Sequence, residues 1–268
     1  MESKSKYPLK VYKYRSWIDE NHKNLLLKNQ LYFTSPRDFN DPFDYKIPYD
    51  YSLLDTDEKI EKYLAQKRSD SQSYYSATDL EKLMKNFEYR LRNQPIKVQE
   101  EYNALYFEGV DNHYGVLSLS ERWDSILMWS HYADFHRGYC VGFWEEKLRK
   151  TFIVTGGRVT YPPDNSFPRL SPIGETLHNM IQESHVKSNN WKYEEEYRLA
   201  KIFYPEIPSI EDRIQEFPNE FISEIIIGLS ASEKTCNEFI EIGKKKCVEV
   251  YLTVKKPFKF ELERRRLL

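Results

Sequence analysis

The chain has 268 residues with 40 basic and 42 acidic side chains, a net charge of −2 that gives no global field favouring nucleic acid or an anionic membrane, while leaving local patches free to bind either. Its three widely spaced cysteines, Cys140, Cys236 and Cys247, argue against a disulfide scaffold or a structural zinc site. There is no apolar signal-like N-terminus and no apolar run of roughly eighteen residues, so the expectation is a cytoplasmic protein with no membrane partner.

No Gly/Ser-rich or Pro-rich linker divides the sequence, which favours a single domain, residues 1–268. The opening L-K-V-Y-K-Y-R alternates like a strand, Ile18 to Leu27 reads as a short helix ending near Asn29, and Leu31 to Thr34 returns to strand. The segment S-P-R-D-F-N-D-P-F-D is then forced into an irregular loop by its two prolines and the Asn40-Asp41 pair. From Thr78, with Glu81 as a capping box, Leu80, Leu83, Met84, Phe87 and Leu91 recur at helical spacing. Pro95 ends that helix and opens a second through Val98, Tyr102, Leu105 and Tyr106. The pair reads as a helical hairpin inserted at about residues 55–110.

Strand character resumes at Tyr114 to Ser120, followed by a short helix around Ile126 to Ala133 and a strand at Gly138 to Phe143. Phe152 to Tyr161 reads as a bent strand or hairpin with Gly156-Gly157 as turn or bulge, and Ile173 to Val186 as a helix. Phe221 to Ile227 is an apolar strand, and a helix capped by Ser230 with Glu233 follows Gly228. Val248 to Val254 and Phe258 to Glu263 close the pattern as strands. With no regular βαβ period, repeat or Gly-rich fingerprint, the fold class is α+β with a mixed, mainly antiparallel sheet.

The segment W-K-Y-E-E-E-Y-R, read as a strand, puts Glu194, Glu196 and Arg198 on one face and Tyr193, Glu195 and Tyr197 on the other. Two carboxylates beside a guanidinium are costly to bury and useful in a cleft; a half-exposed strand with solvated or lysine-paired acids gives the same pattern. Ser118 and Ser120 share one strand face. His131 follows Leu127 and Met128 at helical spacing, as a core-edge histidine would, and His136 lies beyond the helix. Their five-residue separation does not fit a helical zinc site, and no G-x-S-x-G elbow supports serine hydrolysis.

Y-K-Y-R-S, F-T-S-P-R-D-F-N-D-P-F-D, S-L-S with L-M-W-S-H-Y-A-D-F-H-R-G, and W-K-Y-E-E-E-Y-R, in that order, resemble the bacterial and phage-associated domain-of-unknown-function family 2971. The resemblance runs from about Tyr12 to beyond Gly228 and implies a setting near defence or mobile-element genes, with no assigned catalytic residues. A second resemblance is to ADP-ribosyltransferases: Arg15 on a first strand, a serine-bearing strand, and Glu194-x-Glu196 look like their Arg, Ser-x-Ser and Glu-x-Glu series.

That second resemblance implies NAD as substrate, hydrolysed or used to modify an unknown macromolecular acceptor, in phage defence or toxin biology, with that acceptor or an antitoxin as the expected partner. Glu196 would be the catalytic carboxylate stabilising an oxocarbenium-like transition state, with Glu194 its helper and Arg198 and His131 completing the set. Arg15 would anchor phosphate or ribose, and Ser118 and Ser120, or Thr34 and Ser35, would form the pocket wall. Asn40 and Asp41 would contribute from the loop, and Tyr14, Trp129 and Tyr132 would stack on nicotinamide or adenine. No metal is expected on this reading. The alternatives are a metal-dependent phosphodiesterase or nuclease using Asp41, Asp44, Glu194, Glu196, His131 or His136, and a ligand- or protein-binding module without turnover. All of them expect residues 12–15, 39–44, 118–120, His131 and 194–198 to converge on one cleft.

Overall fold

The computed structural model describes residues 6–152, 154–174 and 184–268. Its centre is an eight-stranded sheet in the order β10-β9-β8-β4-β1-β3-β6-β5. The strands are β1 (Lys10–Arg15), β3 (Tyr114–Ser120), β4 (Tyr139–Trp144), β5 (Thr155–Arg158), β6 (Glu196–Ile202), β8 (Ile222–Ile227), β9 (Val250–Lys255) and β10 (Leu262–Arg266). Neighbours are antiparallel except β8 and β9, whose parallel pairing is bridged by a crossover helix, α7 (Glu233–Lys246). The fold is therefore α+β with a mainly antiparallel mixed sheet. β2 (Gln30–Tyr32) and β7 (Ile214–Glu216) form a separate two-stranded ribbon, so the strand expected at Leu31 lies outside the main sheet.

Strand alternation sorts the side chains between two faces. Val11, Leu117, Leu119, Tyr139, Val141, Tyr197, Leu199, Ile225 and Ile227 point to one face and form the main core with Leu25 and Leu26 of α1 (Glu20–Leu27), Leu148 of α6 (Glu145–Phe152) and Phe239 of α7. Tyr12, Tyr14, Cys140 and Ile226 point to the other, against Met128 and Trp129 of α5 (Ile126–Tyr132). Ser118, Ser120, Glu196 and Arg198 lie on this second face, by the pairings Tyr12 with Ser120, Ser120 with Glu196, and Ser118 with Arg198.

The sheet is split where it matters. β1 pairs with β4 along all its residues, yet meets β3 only at Tyr12 and Ser120, so the two strands part beyond that point. Lys13 reaches into the gap, its Nζ donating to the Ser118 carbonyl at 2.5 Å. A backbone acceptor that a continued ladder would have satisfied is thereby paired by a side chain.

The insertion holds three helices, α2 (Asp57–Ser71), α3 (Ala77–Asn93) and α4 (Pro95–His113), with an apolar cluster of its own around Tyr51, Tyr63, Met84, Phe87, Leu91 and Val98. α3 is capped by Ser76, which accepts from Asp79 N, in place of Thr78, and α7 by Ser232 in place of Ser230. The bent strand expected from Phe152 is helix α6 followed by the short β5, and Gly156 and Gly157 sit inside that strand. A Cβ on Gly156 would meet Leu199 Cδ2 at 2.6 Å, so the close approach of β5 to β6 explains the glycine. The helix expected at Ile173 to Val186 falls largely on residues 175–183, outside the described residues. No helix among the described residues is long and apolar enough to cross a membrane.

Candidate functional site

The expected strand from Trp191 to Arg198 is two pieces. Asn189–Glu194 forms a 3-10 turn capped by Ser188, Glu195 takes a left-handed conformation with φ of 40°, and β6 starts only at Glu196. The kink takes the place of strand alternation, and it still leaves Glu194 and Glu196 facing one another while Glu195 turns outward to pair with Arg122 at 3.1 Å. Ser120 secures the turn: its Oγ donates to the Glu194 carbonyl at 2.7 Å and accepts from Arg122 N.

Below the kink lies a fully buried ion network. Arg198 donates to both oxygens of Asp44 at 2.8 and 2.6 Å, to both oxygens of Glu196 at 2.8 and 2.9 Å, and to the Ser184 carbonyl at 2.9 Å. Lys187 Nζ sits between the acids, 2.7 Å from Glu194 Oε2, 3.2 Å from Glu196 Oε2 and 3.6 Å from Asp44 Oδ2. Tyr132 donates to the other oxygen of Glu194 at 2.6 Å. Such charges are tolerated in a low-dielectric setting only because each meets a partner.

The environment separates the two glutamates. Burial would raise Glu196, but Arg198 foremost, then Lys187 and a Ser118 hydrogen bond, pull its pKa down to about 2. Glu194 is raised: burial pushes it up, Lys187 alone opposes with its charge, and the fixed anion of Glu196 adds to the burial effect. One carboxylate is locked as an anion and its neighbour takes up a proton more readily, the pattern by which acid and base roles divide within a carboxylate pair.

This network forms one end of a small cavity of about 120 Å3 in the split between β1 and β3. Its walls include Lys13, Arg15, Phe39, Asn40, Asp44, Ser118, Tyr132, Lys187, Glu194 and Glu196. A larger cavity of about 380 Å3 shares Asn40 and Lys187 with it and is lined by Asp41, Phe43, Phe167, Ser188 and Trp191 among others. Phe43 and Phe167 are exposed, 6.3 Å apart, and Lys187 Nζ lies 4.8 Å over the Trp191 ring. Asp41 accepts from Phe43 N through Oδ1, and its buried Oδ2 has no hydrogen-bond partner among the described residues. Arg15 has no carboxylate partner among the described residues; its guanidinium bonds weakly to the Tyr14 carbonyl at 3.4 Å.

The structure thus brings together Arg15, Asn40, Ser118, Tyr132, Glu194 and Glu196 around one cavity, with Arg198 beneath it and Asp41 next door. Tyr14 also borders this cavity, though its hydroxyl and ring are taken up in packing, and the other candidates sit elsewhere. Trp129 is fully buried, donates to the Trp123 carbonyl and meets Tyr14 edge-on at 5.2 Å, while Tyr14 donates to the Arg122 carbonyl; both are core supports for α5 and not free stacking faces. Thr34 pairs with Val116, and Ser35 donates to the Asp111 carbonyl, so neither lines the cavity. His131 is exposed on the outer side of α5 against Tyr193 and Tyr132, a position corresponding neither to a cavity group nor to a buried core edge. Ser120 is a buried bracket. Lys187 and Trp191 carry no spacing signal in the sequence: Lys187 is set by the bridge of Val186 to Thr160, and Trp191 by the 3-10 turn that follows.

Among the described residues no group of three or more His, Cys, Asp or Glu side chains is arranged to hold a metal ion. No curated protein and no solved structure matches the chain. Residues 128–199 match the model of a family described as "Protein of unknown function (DUF2971)"; this supports the resemblance that the motifs suggested over the segment that supplies Tyr132, Lys187, Glu194, Glu196 and Arg198.

Proposed function

We propose that the cleft binds an NAD-class nucleotide and breaks its N-glycosidic bond, passing ADP-ribose to water or to a macromolecular acceptor. The observation that carries this reading is the pair of glutamates lining one cleft, Glu196 held by Arg198 and Lys187 and Glu194 by Lys187 and Tyr132, an environment that lowers the first and raises the second. Nicotinamide leaves with the bonding electron pair, the ribosyl centre takes on oxocarbenium character, and the attacking hydroxyl or water gives its proton to Glu194 as the new bond forms. Glu196, fixed by Arg198, supplies constant negative charge near the developing cation. Arg15, which lines the cavity and has no carboxylate partner among the described residues, would meet phosphates, and Phe43, Phe167 and Trp191 would take an aromatic base.

This assigns the proton-transfer role to Glu194 in place of Glu196, because two bonds from Arg198 hold Glu196 as a fixed anion, whereas Glu194 meets one cation, Lys187, and the neutral hydroxyl of Tyr132 and takes up a proton more readily. The metal-dependent reading is disfavoured on the same ground: the carboxylate lone pairs that a divalent ion would need are held by Lys187 and Arg198. A cytoplasmic setting fits both the substrate and the three free thiols. Consumption of NAD or modification of a cellular target would give a toxin or phage-defence protein its effect, with an antitoxin as the expected restraint. Titration calorimetry with NAD, ADP-ribose and Mg2+ tests the reading. NAD and ADP-ribose are expected to bind with no dependence on the metal; failure of both to bind the wild-type protein would end it.

A further inference from the structure

The turn joining β9 to β10 carries two aromatic rings that touch no part of the fold: Phe258 is 107% and Phe260 99% exposed. The sequence pattern reads this stretch as strand, but β10 starts at Leu262 and the rings stand on the turn before it. The turn is closed by backbone bonds from Lys259 N to the Lys256 carbonyl and from Lys256 N to the Glu261 carbonyl, with Lys256 paired to Glu261 at 2.7 Å. Phe258 holds a left-handed φ of 60°, a conformation uncommon for a bulky residue, and an ordered tip needs no folding on contact. Residues 255–266 hold six basic and two acidic side chains, in a chain whose overall charge is slightly negative. Lys255 and Arg265 have no carboxylate partner among the described residues.

We infer that this hairpin docks on an anionic lipid surface, Phe258 and Phe260 entering the headgroup boundary while Lys255 and Arg265, on opposite faces of the hairpin behind the tip, and Lys259, 3.8 Å from Glu261 at the tip itself, meet the surrounding lipid charge. Apolar rings at a tip with cations behind them match the two components of interfacial binding, buried apolar area and attraction to anionic headgroups. On the outer strand Arg264 and Arg266 are already paired with Glu224 and Glu249, and the remaining cation, Arg265, opposes a second copy of the same edge. Platforms for single-stranded nucleic acid set their aromatics along a charged groove, whereas these rings project from a turn. Docking of the hairpin on a membrane surface is independent of the proposed chemistry in the cleft.

The test is flotation of the full chain with phosphatidylcholine vesicles made with and without phosphatidylglycerol, alongside the double variant Phe258→Ser/Phe260→Ser. The wild type is expected to float with the anionic vesicles alone and to be released by salt. The double variant is expected to lose about tenfold or more in partitioning, with an unchanged melting temperature. Absence of wild-type binding to anionic vesicles, equal binding by the double variant, or self-association or oligonucleotide binding through these rings without vesicle binding would overturn the inference.

Discussion

Replacing Arg198 with Met tests whether the ion network is a buried unit. The guanidinium is fully buried, and its five hydrogen bonds end on Asp44, Glu196 and the Ser184 carbonyl. Its loss leaves two buried carboxylates whose remaining ion-pair partner among the described residues is Lys187, at 3.2 and 3.6 Å. Removing one partner of a buried pair costs about 3–5 kcal/mol, and for a chain of this size each kcal/mol moves the melting temperature by about 2–4 °C. A fall of roughly 10 °C is therefore expected at neutral pH.

The effect also depends on pH. Glu196 holds its proton less tightly when folded, at about 2, than at its ordinary 4.5, so its stabilisation is complete above about 4.5 and is lost as pH falls toward 2. The wild type should lose stability across that window, and Arg198→Met should lose less there. Thermal denaturation followed by circular dichroism between neutral pH and pH 3 gives both quantities, and the double variant Arg198→Met/Asp44→Leu should recover part of the neutral-pH loss. A decrease of less than about 1 kcal/mol would show that the network behaves like a surface ion pair and would refute the reasoning.

Three other outcomes follow from the geometry. Because Glu194 is raised above its ordinary range, activity requiring its anion should decline with falling pH at a higher pH than for a typical carboxylate. Lys187→Met should move that limb further up, as read from a kcat/KM against pH profile of nicotinamide release. Gly228→Ala would bring a Cβ to 2.1 Å from the His136 carbonyl oxygen and should cost about 3 kcal/mol in urea denaturation. Gly109→Ala, within α4 where nothing lies within 4 Å, should instead stabilise by about 0.5–1 kcal/mol.

Part of the expected convergence is legible because polar and aromatic residues cluster in those segments and not in the helical insertion, and because period-two alternation places Ser118 and Ser120 on one face; His131, expected in the same cleft, is exposed on the outer side of α5. The kink at Glu195 was not legible: Tyr193, Glu195 and Tyr197 alternate with Glu194, Glu196 and Arg198 as a strand would, and nothing local announces a left-handed glutamate. Tyr14 and Trp129 read as ligand-stacking rings, yet the packing of α5 onto β1 claims both. Phe258 and Phe260 have strand-like spacing, but the backbone bonds that close the Lys256 to Glu261 turn leave both rings outside the sheet. Lys187 shows the limit most plainly, since a lone lysine gains meaning only from three acids that the fold brings to it.

The most direct measurement is the rate of nicotinamide release from NAD, in EDTA, by the wild type, Glu194→Gln and Glu195→Gln, with NAD affinity measured on the same preparations. The account predicts a loss of about 10²- to 10⁴-fold in rate for Glu194→Gln with NAD affinity largely kept, and wild-type behaviour for Glu195→Gln, whose side chain turns away to Arg122. Equal rates for the wild type and Glu194→Gln, or NAD binding without release by any version, would contradict it.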